Sequence, residues 1–513
     1  MSKLRQLASD TALYGISSIL GRLINYALVP LYARTLPLGT NGIITDLFTW
    51  VAFLNIVFTF GLETSYFRQA TKQPEQEASI FKTNFSLMAT LAICGSAGML
   101  ALAWFCGNRL GYDAGLEYVT LLAFILLSDT LVAIPMARLR LQRRPKKFVA
   151  IRMGNIALNV GLNIIFLVLP PHFPALQTIG NLLGATTYPV VWVLLAQLLS
   201  NGIYFSIIPL RQLSVRIWRQ ASSLATMRYA TPIMVMGLAG IANEMLGRKM
   251  LPYLLRPAMY GNLTSLEVLG IYGNVYKLSI FMSLVIQAFK MGAEPFFFQQ
   301  GARADGKAVI ASVMSWFVLA CVAIWGGISL NLWWLGPLIL KRQAYIDALG
   351  VVPILLLANL FLGVYYNLSV WFKVTERTNY GYYFGLFGAA ITIALNFLLI
   401  PLLGYMGSAI ATLVCYSAMA VLCYHYGQRF YPVPYRLGII IGMLLSVGAL
   451  LVAHQMLQAK FSLFVNLASQ GTLLAILAIF GLRLLAQLRA TPAAFPTAPP
   501  PASSPASPTA PST

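Results

Sequence analysis

Apolar runs of roughly 20 residues follow one another along almost the whole chain, with short polar breaks between them. A helix of that length crosses about 30 Å of hydrocarbon, and lipid offers no partner to backbone polar groups outside a helix or closed barrel. The pattern predicts an all-α polytopic membrane protein of about 14 transmembrane helices. The expected spans are 11–33, 41–63, 83–106, 116–137, 149–170, 186–209, 229–253, 268–291, 308–331, 348–371, 381–403, 407–426, 437–455 and 463–485. The breaks leave no room for a sizeable soluble domain. The first run lacks a small-residue cleavage site, so it is expected to stay as a helix. The stretch TPAAFPTAPPPASSPASPTAPST at 491–513 is rich in Pro, Ala, Ser and Thr and cannot bury a core, so a disordered cytoplasmic tail is expected.

A repeat lies beneath the runs. GLETSYFRQ at 61–69 closes span 2, and GAEPFFFQQ at 292–300 closes span 8 with Gly, Glu, an aromatic followed by Phe, and Gln at the same spacing. Gly21-Arg22 in span 1 recurs as Gly247-Arg248 in span 7, and Leu162-Asn163 in span 5 as Leu395-Asn396 in span 11. Three marks in the same order at similar offsets predict a duplicated six-helix unit. Six is even, so both copies keep one orientation and form a parallel repeat with the substrate path between them. The expected organisation is a six-helix bundle over 1–210, a pseudo-symmetric second over 211–430, two additional helices over 431–490, and the tail.

Composition agrees with the pattern. The chain is 58% hydrophobic and 10% charged, with a mean hydropathy of +0.74, where soluble domains carry about 25% charged residues. The net charge of +21 invites a nucleic-acid reading, but its distribution argues against one. With the N-terminus inside, most Lys and Arg fall at the cytoplasmic side, including Arg138, Arg140, Arg143, Arg144, Lys146 and Lys147. That is the positive-inside bias, and an even number of spans returns the C-terminus to the cytoplasm. The basic loops then set topology and meet anionic lipid. Cys94, Cys106, Cys321, Cys415 and Cys423 lie in or at the ends of spans without metal-type spacing, as small hydrophobes do.

Enzymatic constellations are missing from the sequence. GARADGKA at 301–308 approaches a phosphate-binding loop, but Ala308 stands where a Ser or Thr would hold magnesium, and no strand precedes it. His172, His425 and His454 are scattered. The chain is expected to be no enzyme and to need no cofactor or metal.

Charges within the spans carry the candidate chemistry, because an ionisable group deep in a bilayer costs several kcal/mol unless it meets a partner or a cavity. Arg22 is near the middle of span 1, Arg248 in the outer half of span 7, and Lys277 in the outer half of span 8, with Lys249 and Arg34 towards outer ends. Asp129 in span 4 and Glu244 in span 7 oppose them, with Asp46, Glu63, Glu294 and Asp347 near span ends. Glu244 and Arg248 are four apart and can pair on one helix face. Arg22 and Lys277 have no acid at i±3 or i±4, which leaves a water-filled cavity or a partner on another helix, such as Asp129. If Arg22 and Arg248 both face the axis, they form a cationic patch suited to an anionic ligand, Arg through its bidentate fork and Lys as a point charge. Glu63 and Glu294 read either as interfacial acids tied to nearby bases, Arg68 and Lys290, or to a helix N-terminus, or else, with Asp129 and Glu244, as gate or coupling residues. VYYNLSVWFK at 364–373 offers Tyr365, Tyr366, Asn367 and Trp371 for sugar stacking and hydrogen bonding, or as interface anchors.

LPYLL (251–255) after the phrase Asn243-Glu244-x-x-x-Arg248, GIYGNVYKLSIFMSLVIQAFKMGAEPFFF (270–298), VPILLLANLFLGVYYNLSVWFK (352–373), PLLGYMGSAIATLVCY (401–416) and GLETSYFR (61–68) resemble the oligosaccharide (O-antigen repeat-unit) flippase family of lipopolysaccharide biosynthesis. Their wording is similar to the branch found in Bacteroidetes-type bacteria. The family is part of the multidrug/oligosaccharidyl-lipid/polysaccharide exporter superfamily. The resemblance implies two six-helix bundles around a cavity, often with two extra helices, in the bacterial cytoplasmic (inner) membrane. It also implies movement of an undecaprenyl-pyrophosphate-linked oligosaccharide to the periplasmic leaflet, with cationic residues for the pyrophosphate at Arg22, Arg248, Lys277 and Lys249. Lipid II flipping and cationic drug export remain alternatives within the same fold. A coupling ion, H+ or Na+, is left open, as are glycan polymerase or ligase partners. The resemblance leads one to expect an acid-Arg pair in the span 7 phrase, where this chain has Gly247-Arg248-Lys249. That departure makes the outer cavity more cationic and weakens the case for a carboxylate-coupled ion site there.

Overall fold

A computed structural model describes residues 19–106, 111–170, 178, 188–214, 221–256, 258–301, 306–458 and 462–489. Among them all regular structure is helical. The first elements are α1 (19–26), α2 (Leu28–Thr35), α3 (Leu38–Thr59), α4 (Leu62–Lys72), α5 (Glu77–Cys106), α6 (Gly115–Leu141), α7 (Pro145–Val168) and α8 (Val190–Asn201). They are followed by α9 (Ala221–Leu254), α10 (Ser265–Tyr276), α11 (Ile280–Gly301), α12 (Gly306–Leu330), α13 (Leu332–Leu340) and α14 (Gln343–Ile346). The last are α15 (Val351–Leu368), α16 (Val370–Val374), α17 (Asn379–Leu403), α18 (Tyr405–Phe430), α19 (Leu437–Gln458) and α20 (Ser462–Arg489).

Local sequence explains where several helices start. Thr264 and Glu267 close a capping box on α10, the Thr264 backbone N–H donating to Glu267 Oε2 at 2.8 Å. Pro145 opens α7, where a missing N–H costs nothing. The architecture is that of an all-α polytopic membrane protein, with 12 candidate membrane-crossing helices among the described residues. The expected count of 14 included span 1, which begins outside those residues, and span 6, whose described part is the shorter apolar helix Val190–Ser206. The expected tail at 491–513 lies outside the described residues, as do His172 and residues 302–305 of the GARADGKA stretch.

Two spans are interrupted. Span 8 consists of α10 and α11, separated by a 3-10 turn at Lys277–Ser279. Span 1 likewise breaks at Ala27, between α1 and α2. The twin phrases also differ in backbone. In GLETSYFRQ, Phe60 and Gly61 adopt left-handed φ values of 50° and 70°, and α4 starts afresh at Leu62. GAEPFFFQQ continues α11 without a break.

The chain forms two compact units: Met1–Glu294 with Ile324–Tyr431, and Pro295–Ala323 with Pro432–Thr513. In the first unit, α3 and α10 approach so closely that a Cβ at Gly42 would stand 1.8 Å from the Leu266 carbonyl oxygen, and one at Gly270 2.3 Å from that of Leu38. Small residues let membrane helices gain van der Waals contact where lipid supplies no hydrophobic drive. Two apolar clusters sit in the first half of this unit: Tyr32, Leu36, Leu47, Tyr118 and Trp192 in one, and Leu62, Tyr66, Phe81, Phe85 and Ile134 in the other. Gly21 on α1 packs against Ile156 on α7, the span 5 helix, and Gly247 on α9 packs against Asn396 on α17, the span 11 helix. In the second unit, α19 and α20 form a hairpin in which His454 Nδ1 and Ser469 Oγ share a 3.0 Å hydrogen bond. Leu445, Phe464, Leu474 and Leu482 point outward from it, as lipid-facing residues do.

Candidate functional site

Arg22, Arg248 and Lys277 line one chamber of about 360 Å³ in the first unit. Helices of both expected halves build its wall: α1 and α2 supply Arg22, Asn25, Tyr26 and Tyr32, α3 supplies Thr45 and Thr49, α7 and α8 supply Asn159 and Gln197, and α9 supplies Arg248. Lys277 occupies the 3-10 turn, and a mid-helix stretch of that kind often marks a functional hinge. Its Nζ donates to Asn274 Oδ1 at 3.3 Å and stands 5.8 Å from the Tyr32 ring centroid. Among the described residues no carboxylate lines this chamber. Two hydrogen-bond donors on its wall, Arg248 Nε and the Tyr26 hydroxyl, are buried without a partner. Three cations and two idle donors around a space without an acid will attract an anion.

A second chamber of about 400 Å³ is lined by Arg22, Glu244, Tyr276, Ser283, Ile286, Gln287, Lys290, Asn359, Leu362 and Tyr366. Arg22 belongs to both. Glu244 and Arg248, four apart on α9, do not pair. The Arg248 guanidinium lies 3.7 Å over the Tyr276 ring and donates to Met245 Sδ at 3.1 Å. Glu244 is exposed, lines the second chamber and makes no ion pair among the described residues. It is, however, within electrostatic reach of Arg22.

The other sequence candidates are dispersed. Lys249 does not line either chamber. Its Nζ is 2.8 and 2.9 Å from the Asp46 carboxylate oxygens, and Tyr112 donates its hydroxyl proton to the same carboxylate. Glu63 pairs with Arg140 on α6 instead of Arg68, which stacks 4.2 Å over Tyr229. Asp129 accepts a 2.8 Å hydrogen bond from Asn201 Nδ2. The side chain of Glu294 lies outside the described residues. Of the four aromatic-run residues, Tyr366 alone lines either of these two chambers. Tyr365 and Asn367 are buried, and Trp371 donates to the Cys423 carbonyl at 3.1 Å and stacks on Phe430.

A buried amide network went unnoticed in the sequence. Asn155, Asn159 and Asn163 recur every fourth residue on α7, which puts them on one face. Asn201 Nδ2 also donates to Ser128 Oγ at 2.9 Å, Asn155 Nδ2 donates to Asn201 Oδ1 at 3.0 Å, and Gln197 Nε2 to the same atom at 3.2 Å. Asn159 Nδ2 donates to Gln197 Oε1 at 3.0 Å, Asn163 Nδ2 to the Asn159 carbonyl at 2.8 Å, and the Tyr32 hydroxyl to Asn163 Oδ1 at 2.8 Å. The chain of bonds runs from Asp129 to the first chamber. The i, i+4 spacing of asparagines in an apolar span is the signal that could have found it.

Residues 7–300 match the family model described as polysaccharide biosynthesis protein. Among solved structures, one titled lipid II flippase MurJ, inward closed conformation, is similar at 12% identity with a TM-score of 0.68, covering 93% of this chain and 100% of that one. An inward-facing conformation of a multidrug resistance MATE family transporter of the MOP superfamily is similar at 14% identity and a TM-score of 0.61, covering 80% of this chain and 94% of that one. An outward-facing conformation of a transporter with the same description gives 13% and 0.56, with 83% and 96% covered. At these identities the likeness is one of fold. The curated proteins give no significant match.

Proposed function

The chain belongs to the polysaccharide biosynthesis protein family, and from that premise we propose that it is a flippase for an undecaprenyl-pyrophosphate-linked oligosaccharide. It would carry this lipid from the cytoplasmic to the periplasmic leaflet of the bacterial inner membrane by alternating access, without enzymatic chemistry. The observation that carries the reading is the convergence of Arg22, Arg248 and Lys277 on one chamber without a carboxylate. A pyrophosphate is a dense anion, and each guanidinium can meet it through a bidentate fork. The first chamber would hold the pyrophosphate, and the interrupted helices beside it would absorb the backbone change that alternating access requires. The positive-inside bias supports a cytoplasmic position for both termini. Asp129, joined to the chamber by the amide network, is the residue proposed to couple H+ or Na+.

A cationic drug would be repelled by this chamber, which disfavours the exporter reading. Lipid II shares the pyrophosphate and remains the closer rival. The test is transport in cells: Arg22→Ala or Arg248→Ala should lower surface glycan by about tenfold or more, each lost charge-assisted contact being worth about 1.5–3 kcal/mol. The lipid-linked intermediate should accumulate while the protein still inserts. Normal export in both variants removes the cationic-chamber mechanism, and the identity of the stranded lipid separates the oligosaccharide carrier from lipid II.

A further inference from the structure

The two chambers differ in chemistry, and the difference assigns them different parts of one ligand. We infer that the second chamber is a subsite for the sugar joined directly to the pyrophosphate, with Glu244 as the acceptor for its hydroxyl groups. This rests on the flippase reading above and deepens it. Among its described lining residues the first chamber holds three cations and no acid, with apolar Leu28, Val29, Phe48 and Ile280 beside them. Among the described lining residues of the second, only Ile286 and Leu362 are apolar, and the others present hydroxyl, amide, carboxylate or cationic groups. An isoprenoid tail would leave these groups unsolvated. A second phosphate would meet the Glu244 carboxylate, a like-charge contact that selects against it. A ring bearing several hydroxyls suits the set, because it both donates and accepts hydrogen bonds.

Glu244 is free for that role by its geometry. Arg248, the expected partner four residues on, is turned away onto Tyr276, leaving the carboxylate exposed in the second chamber. A carboxylate accepting from hydroxyls forms charge-assisted bonds about twice as strong as neutral ones. Tyr366, with the Lys290 ammonium 4.7 Å from its ring centroid, lines the same space, and Asn359 is held there by a 2.9 Å bond to the Leu355 carbonyl. Arg22, on the wall of both chambers, lies at the junction between pyrophosphate and sugar.

The test compares binding of two lipids to the detergent-solubilised full chain: polyprenyl diphosphate, and the same lipid carrying one hexose. The wild type should prefer the hexosyl lipid. Glu244→Gln and Tyr366→Phe, which keep shape, should cut that preference about tenfold and about threefold by weakening binding of the hexosyl lipid, while neither weakens that of the bare lipid. Arg248→Ala should weaken both lipids alike. Thermal unfolding verifies that each variant is folded. A hexosyl-to-bare ratio unchanged by Glu244→Gln, or a wild type without any preference, overturns the sugar subsite. Unaltered binding of the bare lipid to Arg248→Ala overturns the pyrophosphate reading instead, so the two failures are distinct.

Discussion

Arg248 and Lys249 are neighbours on α9 with opposite surroundings. Lys249 is paired with Asp46, which also accepts from Tyr112, and its side chain is 13% exposed and that of Asp46 5%. Arg248 faces a chamber that no acid lines among the described residues, and its buried Nε has no partner among them. One step along a helix turns the side chain by about 100°, which carries the two charges to different neighbours. At similar depth, one cation has been neutralised by the fold and the other stands without an acid partner among the described residues. Charge in a membrane helix therefore marks function only after its partner has been sought across the whole structure.

The contrast is broken most strongly at Asp46. Asp46→Asn leaves the Lys249 ammonium buried beside an amide, and removing one member of a buried ion pair costs about 3–5 kcal/mol. The purified variant should unfold at markedly lower temperature in detergent. Arg248→Met strips no partner of its charge and should change stability by less than about 1 kcal/mol while affecting transport. Equal stability of Asp46→Asn and wild type would show that Lys249 is not held by this pair.

The double variant Asp46→Leu/Lys249→Leu sharpens the same point. Replacing a buried pair by apolar residues of similar size is often neutral or stabilising, so most of the loss seen in Asp46→Asn should return. The Tyr112 hydroxyl forfeits its acceptor, leaving a residual loss of about 1 kcal/mol. A double variant as unstable as the single would mean that the pair contributes more than mutual neutralisation.

Why the sequence exposed one member of this comparison and hid the other follows from range. Spans are legible because lipid forces every backbone group into local hydrogen bonds, so twenty apolar residues suffice to identify a helix. Arg22, Arg248 and Lys277 stood out as cations with few local acids. The partner of Lys249 is 203 positions away, and no local spacing announces it. The Glu244–Arg248 spacing suggested a pair that Tyr276 intercepts from another helix. The same limit applies to Glu63, whose base is Arg140 and not the nearby Arg68. The interruption at Lys277–Ser279 has neither Pro nor Gly to mark it. The asparagine face of α7 was visible in principle, since a period of four is a local property.

Glu63 supplies the smallest and most diagnostic test. It is charged and paired like Lys249, yet its side chain is 38% exposed and that of Arg140 35%. Water screens such a pair, which leaves it worth about 0–1 kcal/mol. Arg140 also has other holds, its guanidinium 5.1 Å from the Phe67 ring centroid and 5.7 Å from that of Phe148. Glu63→Gln should therefore destabilise the protein by less than about 1 kcal/mol, and the difference should shrink further as ionic strength rises. Because stability barely moves, any change in transport reports the residue's part in the working cycle. A transport rate reduced tenfold at unchanged stability would make Glu63 a gate, whereas wild-type transport would leave it an interfacial acid tied to its base.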